Sequence, residues 1–90
     1  MTIYVDDVQR YPTGSWSHMA TDGDLAELHE MAAKIGMQRR WFQGRNKRHP
    51  HYDVRPTKRA LAIQYGAVAV DGIELVRRCT LTLEGKKQYE

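Results

Sequence analysis

Side chains capable of chemistry are densest between residues 49 and 59. This stretch carries two imidazoles, a phenol, a carboxylate and three cations: His49, His51, Tyr52, Asp53, Arg55, Lys58 and Arg59. Pro50 biases His49 towards extended geometry, because the proline ring clashes with a helical preceding residue. Side chains alternate between the two faces of an extended segment, so His49, His51 and Asp53 are expected to point the same way. Such a face could bind a divalent metal ion or carry out acid–base catalysis.

The residues that follow predict an anion site at the start of a helix. Pro56 fits the first turn of a helix, where its missing N–H costs nothing. Free backbone amides at that helix start would lie beside Arg55, Lys58 and Arg59, and amides next to cations bind phosphate or carboxylate. The alternative is a solvated corner between strand and helix with ordinary surface charge. We prefer the functional interpretation because three residue types useful in chemistry converge here.

Acids and histidines elsewhere in the chain are candidates for the same site. Asp6 and Asp7 follow a short β-branched and aromatic run, where Asp6 or Asp7 could bind a cation or act as a base. At least one of the two acids could instead simply end the strand. His18 is either a site residue or a satisfied structural histidine. His29 lies at the edge of an apolar helix stripe, where it could reach the site or bond a neighbouring loop.

The predicted site therefore contains two groups of residues. The catalytic candidates are His18, His51, Asp53 and Asp7. The ligand-binding candidates are His29, His49, Tyr52, Arg55, Lys58 and Arg59. We expect His18, His29, His51 and Asp53 to line one pocket. The cofactor is left open by the spacing, with a divalent metal ion among the alternatives.

Size and composition are those of an ordinary globular protein. The 90 residues, of which 41% are hydrophobic and 28% charged, predict a single domain spanning 1–90. The single cysteine, Cys79, excludes an internal disulfide and a cysteine-based zinc site. No apolar run approaches the roughly 20 residues that span a bilayer, and no leader pattern opens the chain, so we expect no membrane partner and a cytoplasmic location. The oligomeric state is left open, a homo-oligomer included.

The net charge of +3 is unevenly distributed along the chain. The interval between Arg39 and Arg59 contains one acid, Asp53, and many cations: Arg39, Arg40, Arg45, Lys47, Arg48, Arg55, Lys58 and Arg59. Such a split favours an anionic ligand, such as a nucleotide or nucleic acid, over a neutral one. On charge alone, a solvated basic loop is the simpler explanation.

The hydrophobic pattern predicts strands separated by helices. The strands are expected at 2–5, 37–43 and 67–70, and the helices at 21–35, capped by Thr21, and at 56–65, each closed by glycine. Residues 16–20 fit a short strand or an ordered loop, 73–78 a helix or a strand, and 80–84 a strand. Helical connections between strands imply a parallel sheet. We therefore predict a small three-layer α/β domain with a short, mostly parallel sheet (a βαβαβ core), helices on its faces, and a fully buried strand at 67–70.

Several motifs together resemble a known family. They are Tyr4-Val5-Asp6-Asp7, Trp16-Ser17-His18-Met19, Glu27-Leu28-His29, Ile35-Gly36-Met37, Trp41-Phe42-Gln43, His49-Pro50-His51-Tyr52-Asp53-Val54, Lys58-Arg59-Ala60, Ala62-Ile63 and Gly66-Ala67-Val68. On these residues the chain resembles the DUF4031 family of small bacterial and phage proteins. The resemblance covers about residues 2–70 and implies a variable C-terminal extension over 71–90. The family name implies no particular activity.

Three functions fit these residues. The first is a hydrolase or other enzyme that handles phosphate or nucleotides, with a His/Asp site beside a basic helix N-terminus. The second is a non-catalytic module that binds a nucleotide, nucleic acid or protein, with Trp41, Phe42 and Tyr52 stacking on bases. The third is a structural or regulatory protein whose histidines are satisfied within the fold. A divalent metal ion or phosphate held by His51 and Asp53 would favour the first function, and base stacking without a water-activating group the second. A polar cluster sealed from solvent would favour the third.

Overall fold

The sheet is assembled around its longest strand in the structure, a computed structural model that describes residues 2–44 and 49–79. The strands are β1 (Ile3–Val5), β2 (Gln9–Tyr11), β3 (Gly14–Thr21), β4 (Tyr52–Val54) and β5 (Val68–Ala69). The helices are α1 (Leu25–Lys34), α2 (Pro56–Gln64) and α3 (Gly72–Cys79), and a single 3-10 turn covers Arg39–Trp41. The strand order is β2-β3-β1-β5, and β4 pairs with β3.

The sheet is mixed, so the prediction of a mostly parallel βαβαβ core is wrong. Within the described residues, β3 is antiparallel to β1, β2 and β4, and the one parallel pair is β1 with β5. The error lies in residues 16–20, for which a short strand and an ordered loop were both open. They belong to an eight-residue strand. The tight turn from Tyr11 to Gly14 folds this strand back beside β1 and β2, which makes the pairing antiparallel.

A bulge separates β1 from β2 and fixes the position of Asp6. Val5 pairs with Met19 and Gln9 pairs with Trp16. The chain thus advances four residues from Val5 to Gln9, whereas β3 advances three residues from Trp16 to Met19. One extra residue is therefore inserted between the two strands, as in a β-bulge. Just before that irregularity, the Asp6 amide still donates to the His18 carbonyl at 3.1 Å. The aspartate is thus held directly beside His18.

The two predicted helices are present with small changes at their ends. Leu25, Leu28, Met31 and Ala32 form the buried face of α1. The N-cap position of α1 is Asp24, so the expected cap at Thr21 is wrong: Thr21 ends β3, and its hydroxyl accepts from the Gly23 amide at 3.0 Å. The second helix, α2, starts at Pro56 as expected.

Residues 37–43 do not form the expected strand. The Met37 amide bonds back to the carbonyl of Ala32 at 2.8 Å, which turns the chain at the end of α1. The residues that follow make the 3-10 turn and leave Trp41 43% exposed. A single bridge between Gln43 and His51 then brings this segment to the free edge of β4. The strong strand propensity of Trp41 and Phe42 is overridden because the preceding turn directs the chain away from the sheet.

The last described elements lie at the other edge of the sheet. β5 is an edge strand, and Val68 is 44% exposed, so the expectation of a fully buried strand at 67–70 is wrong. Of the two alternatives for residues 73–78, the helix is present, as part of α3. The predicted strand at 80–84 lies outside the described residues.

Helices cover one face of the sheet and only part of the other. α1 and α2 pack on the face that carries Val5, Met19, Tyr52 and Val54. The opposite face carries Tyr4 and Ala20, which α3 covers through Leu75 and Cys79. No helix of the described part of the chain covers the rest of that second face, around His18. Among residues 2–44 and 49–79, none of the helices combines the length and apolar character that a membrane span requires.

Candidate functional site

The candidate site is built on the uncovered face of β3 and β4. His18 and Asp53 are direct cross-strand partners in the antiparallel pairing of these strands. Because side chains alternate along a strand, Trp16 lies on the same face as His18, and His51 and Arg55 lie on the same face as Asp53. The neighbours Ser17, Met19, Tyr52 and Val54 point to the other face and are buried.

These side chains form the floor of an open cleft of about 1050 Å³. Its walls are the hairpin turn at Tyr11–Thr13, the 3-10 segment with Arg40 and Trp41, and the start of α2 with Lys58. We refer to this space as the cleft. Its volume matches the upper end of ordinary small-molecule sites, which measure about 300–1000 Å³.

Asp6 holds His18 in a fixed orientation. One oxygen of the Asp6 carboxylate accepts from the His18 backbone amide at 2.6 Å, and the other lies 2.7 Å from the His18 Nδ1 atom. The carboxylate is 3% exposed, whereas the imidazole is 37% exposed. The hydrogen bond to Asp6 raises the pKa of His18, partial burial opposes the rise, and the charges of Asp6 and Asp53 add to it. Since a carboxylate only accepts, Nδ1 carries a proton and Nε2 faces the cleft.

His51 and Asp53 complete the cluster on the floor of the cleft. The His51 Nδ1 atom lies 3.0 Å from the carbonyl oxygen of His49, to which it must donate. The Asp53 Oδ1 atom lies 3.4 Å from His51 Nε2 and 3.8 Å from His18 Nε2. The interaction with His51 lowers the pKa of Asp53 despite its partial burial, and the nearby His18 lowers it further.

The cluster can hold a cation between its three inward-facing atoms. Both Nδ1 atoms donate their protons to groups outside the cluster, Asp6 and the His49 carbonyl. The two Nε2 atoms and one carboxylate oxygen therefore face a common point. The three atoms lie within 4.8 Å of one another. Lone pairs that face each other are stabilised by protons on the imidazoles or by a metal ion. The arrangement therefore suits either proton transfer or metal coordination.

The walls of the cleft are cationic and aromatic. Arg40, Arg55 and Lys58 line it, and Asp53 is the only carboxylate among its described lining residues. The Arg55 guanidinium lies over the Trp16 ring at 3.9 Å, which holds it at the mouth of the cleft. The rings of Tyr11 and Trp41 line the cleft and remain 42% and 43% exposed.

His29 and Tyr52 lie elsewhere, so the expectation that His29 shares the pocket is wrong. The His29 Nδ1 atom lies 2.7 Å from the Tyr52 hydroxyl, on the side of the sheet that α1 covers. Phe42 stacks edge-to-face on His29, with ring centroids 4.6 Å apart. Burial is the main cause that lowers the pKa of His29 and raises that of Tyr52. The chain reverses faces at every residue of β4, so Tyr52 cannot join Asp53 in the cleft.

The remaining sequence candidates take supporting or peripheral positions. The Arg59 side chain donates to the Asp6 carbonyl at 2.8 Å, so it braces the bulge and does not line the cleft. The His49 side chain is exposed, and its carbonyl is the group that contacts His51. Asp7, one of the predicted catalytic residues, is exposed outside the cleft, and the acid that contacts His18 is Asp6. Arg55 and Lys58 line the cleft as described above.

Several lining residues were not among the catalytic or ligand-binding candidates, including Gln43, Arg40 and Tyr11. Gln43 donates to the outer oxygen of Asp53, and Arg40 and Tyr11 stand in the walls. Arg40 was included in the basic interval but not singled out. The basic residues Arg45, Lys47 and Arg48 lie outside the described residues.

The chain belongs to a family described as protein of unknown function (DUF4031), whose model matches residues 3–82. The match therefore extends past residue 70, where the sequence motifs end, and includes every residue of the cleft floor. No curated protein and no solved structure gives a significant match to the chain.

Proposed function

We propose that this member of the DUF4031 family binds a nucleotide or short nucleic acid in the cleft and hydrolyses a phosphate ester of it. The observation that carries the proposal is the convergence of His18, His51 and Asp53 on the floor of a cationic cleft. A catalytic centre for phosphoryl transfer needs charge neutralisation around the phosphate and a positioned group that handles protons or activates water.

The charge of the walls supports an anionic ligand. Three cations, Arg40, Arg55 and Lys58, surround one carboxylate, so the cleft attracts negative charge. Arg55 is also the N-cap residue of α2, so the positive end of a helix lies in the same wall of the cleft as Lys58. A phosphate group near Arg55 and Lys58 would sit within reach of the imidazoles on the floor.

The exposed rings support a ligand with an aromatic base. Tyr11 and Trp41 both line the cleft, and each remains more than two fifths exposed. Bases stack on such rings with about 1–3 kcal/mol each. The cleft thus offers both rings for a base and cations for a phosphate, which are the two parts of a nucleotide.

The reaction needs only water as a second substrate. The oxygen of water forms a bond to phosphorus, the ester P–O bond breaks, and a proton from the water ends on the leaving oxygen. The cluster on the floor activates the water, and the wall cations stabilise the charge of the transferred phosphoryl group. A cytoplasmic location is part of this proposal, since nucleotides and nucleic acids are found there.

The first test is binding. Nucleoside mono-, di- and triphosphates and a short single-stranded oligonucleotide are titrated into the protein by calorimetry. We expect at least one to bind, and Arg55→Ala to weaken it about tenfold or more, because one charge-assisted contact is worth about 1.5–3 kcal/mol. The matched control is Arg77→Ala, since Arg77 lies on α3 away from the cleft. No binding by any of these ligands, or equal weakening in both variants, would refute the proposal.

The second test separates an enzyme from a binding module. Bis(4-nitrophenyl) phosphate, 4-nitrophenyl phosphate and the tightest nucleotide are incubated with the protein, with and without added divalent ions. We expect release of product that His51→Ala abolishes while nucleotide binding persists. Binding without turnover under all these conditions would favour the non-catalytic module, which the exposed Tyr11 and Trp41 also fit.

A further inference from the structure

We infer that His18, His51 and Asp53 form a binding site for one divalent transition-metal ion, with Zn²⁺ and Co²⁺ as suitable probes. The ion would bind His18 Nε2, His51 Nε2 and Asp53 Oδ1. The inference rests on the proposed function for what the ion does, namely activation of the attacking water. The binding of the ion itself follows from the geometry alone and is tested separately.

The distances between the three ligand atoms suit a single ion. Metal bonds of about 2.0–2.1 Å at tetrahedral angles place neighbouring ligand atoms about 3.3–3.4 Å apart. The separation of His51 Nε2 from Asp53 Oδ1 is 3.4 Å, and that of His18 Nε2 from the same oxygen is 3.8 Å. The largest separation among the three atoms is within 4.8 Å, which small side-chain rotations can reduce.

Both imidazoles are oriented in the way that metal-bound histidines usually are. A ligating histidine normally donates its second ring N–H to a carboxylate or backbone carbonyl, which fixes the tautomer. His18 has the Asp6 carboxylate at 2.7 Å in this position, and His51 has the His49 carbonyl at 3.0 Å. The two rings are inclined at 78° with centroids 4.9 Å apart, so they do not stack face to face, and both Nε2 atoms lie near Asp53 Oδ1.

The Asp53 carboxylate is also held in position by a hydrogen bond. The Gln43 amide donates to Asp53 Oδ2, which leaves Oδ1 directed towards the two imidazoles. Cross-strand pairing with His18 fixes the backbone position of Asp53. All three ligands thus have a second contact that holds them in place before any ion binds.

The donor set favours transition metals and leaves room for substrate. Two imidazoles and one carboxylate suit Zn²⁺, Fe²⁺, Co²⁺ or Mn²⁺ better than Mg²⁺ or Ca²⁺, which prefer oxygen ligands. Three protein ligands are typical of catalytic sites, in which water or substrate takes the open position. Since the cluster lies on the floor of the cleft, the open position would face the phosphate held by Arg55 and Lys58.

Titration of the untagged, chelator-treated protein with Co²⁺ and Zn²⁺ tests the inference. We expect one ion per chain by calorimetry and a visible Co²⁺ absorption band. His51→Ala and Asp53→Asn should each weaken binding at least about 100-fold, and Asp6→Asn about 10- to 100-fold through the orientation of His18. The matched controls, His29→Gln and Asp7→Asn, remove the same group types outside the cleft and should bind as tightly as the parent.

Unchanged affinity in His51→Ala, equal weakening in the controls, or no binding by the parent protein would overturn the inference. Circular dichroism identifies any variant that fails to fold, and the stoichiometry and Co²⁺ spectrum of the parent protein remain decisive in that case. Nucleotide binding measured with chelator present separates the two proposals. Nucleotide binding without metal binding would refute the metal site alone, whereas metal binding without nucleotide binding or turnover would refute the proposed function alone.

Discussion

Replacing Asp6 with asparagine tests how His18 is held in the cleft. Asparagine has nearly the same shape and can still accept the hydrogen bond from the His18 backbone amide, now 2.6 Å long. Its NH₂ group, however, would face the His18 Nδ1 atom where a carboxylate oxygen now lies at 2.7 Å. The Nδ1 atom of the imidazole would then have to accept a hydrogen bond, and the ring proton would move to Nε2. The nitrogen that faces the cleft would therefore present an N–H donor instead of a lone pair.

The cost in stability follows from the contact that is exchanged. A hydrogen bond to a charged group contributes about 1.5–3 kcal/mol and a neutral one about 0.5–1.5 kcal/mol. Because the His18 side chain is 37% exposed, we take the lower part of that difference. We expect Asp6→Asn to lose about 1 kcal/mol of unfolding free energy, which corresponds to a fall in Tm of roughly 4–8 °C for a domain of this size.

The sign of the pH dependence is set by the raised pKa of His18. Its contribution to stability is fully present below the ordinary value of 6.5 and is lost as pH rises through the higher folded value. The loss in Asp6→Asn should therefore be larger at about pH 5.5 than at about pH 9. His29, whose pKa is lowered, makes the parent less stable towards acid, but it is common to both proteins and cancels in the difference.

Urea unfolding of the parent, Asp6→Asn and Asp7→Asn at both pH values provides the measurement. Asp7 is an exposed neighbour, so its replacement should leave the unfolding free energy nearly unchanged. A histidine titration followed by NMR should show a lower pKa for His18 in Asp6→Asn. The reasoning would be refuted by an equal loss at both pH values, or by a His18 pKa that stays the same or rises.

Three further substitutions or treatments have definite expected results. Tyr52→Phe should cost about 1–2 kcal/mol in urea unfolding, because His29 loses its partner at 2.7 Å; an unchanged midpoint would contradict this. Gly14→Ala should cost about 1–3 kcal/mol and weaken nucleotide binding, since φ is +126° and the added methyl group would collide with the Arg55 guanidinium; a variant as stable as the parent would contradict it. Burial raises the pKa of the Cys79 thiol to about 12, so thiol reagents should label it only on unfolding, and rapid labelling of the folded protein would count against its burial.

Local rules predicted the part of the site that lies within one extended segment. The alternation of side chains after Pro50 correctly placed His51 and Asp53 on the same face, and Pro56 correctly marked the start of α2. These features depend on steric effects between neighbouring residues, which the sequence contains directly. Catalysis by the cluster stays a prediction, which the turnover assay and the metal titration test.

Long-range pairing determined what the sequence pattern missed. The segment around His18 lacks a continuous apolar pattern, so residues 16–20 were left open between a short strand and a loop, and the sheet was expected to be mostly parallel. Once β3 is paired with β1, Asp6 lies opposite His18, and the choice between Asp6 and Asp7 is decided. The environment of His29 depends on Tyr52, 23 residues away, and no local pattern encodes that contact.

The direct pairing of His18 with Asp53 also constrains how this protein can change over time. A slip of β4 by a single residue would turn Asp53 and His51 towards α1 and bring Tyr52 to the surface, since strand side chains repeat every two residues. The cluster and the hydrophobic interior would be lost in the same step. Selection for a stable fold therefore also preserves the register that aligns His18, His51 and Asp53, even in a family member in which the cluster has no function.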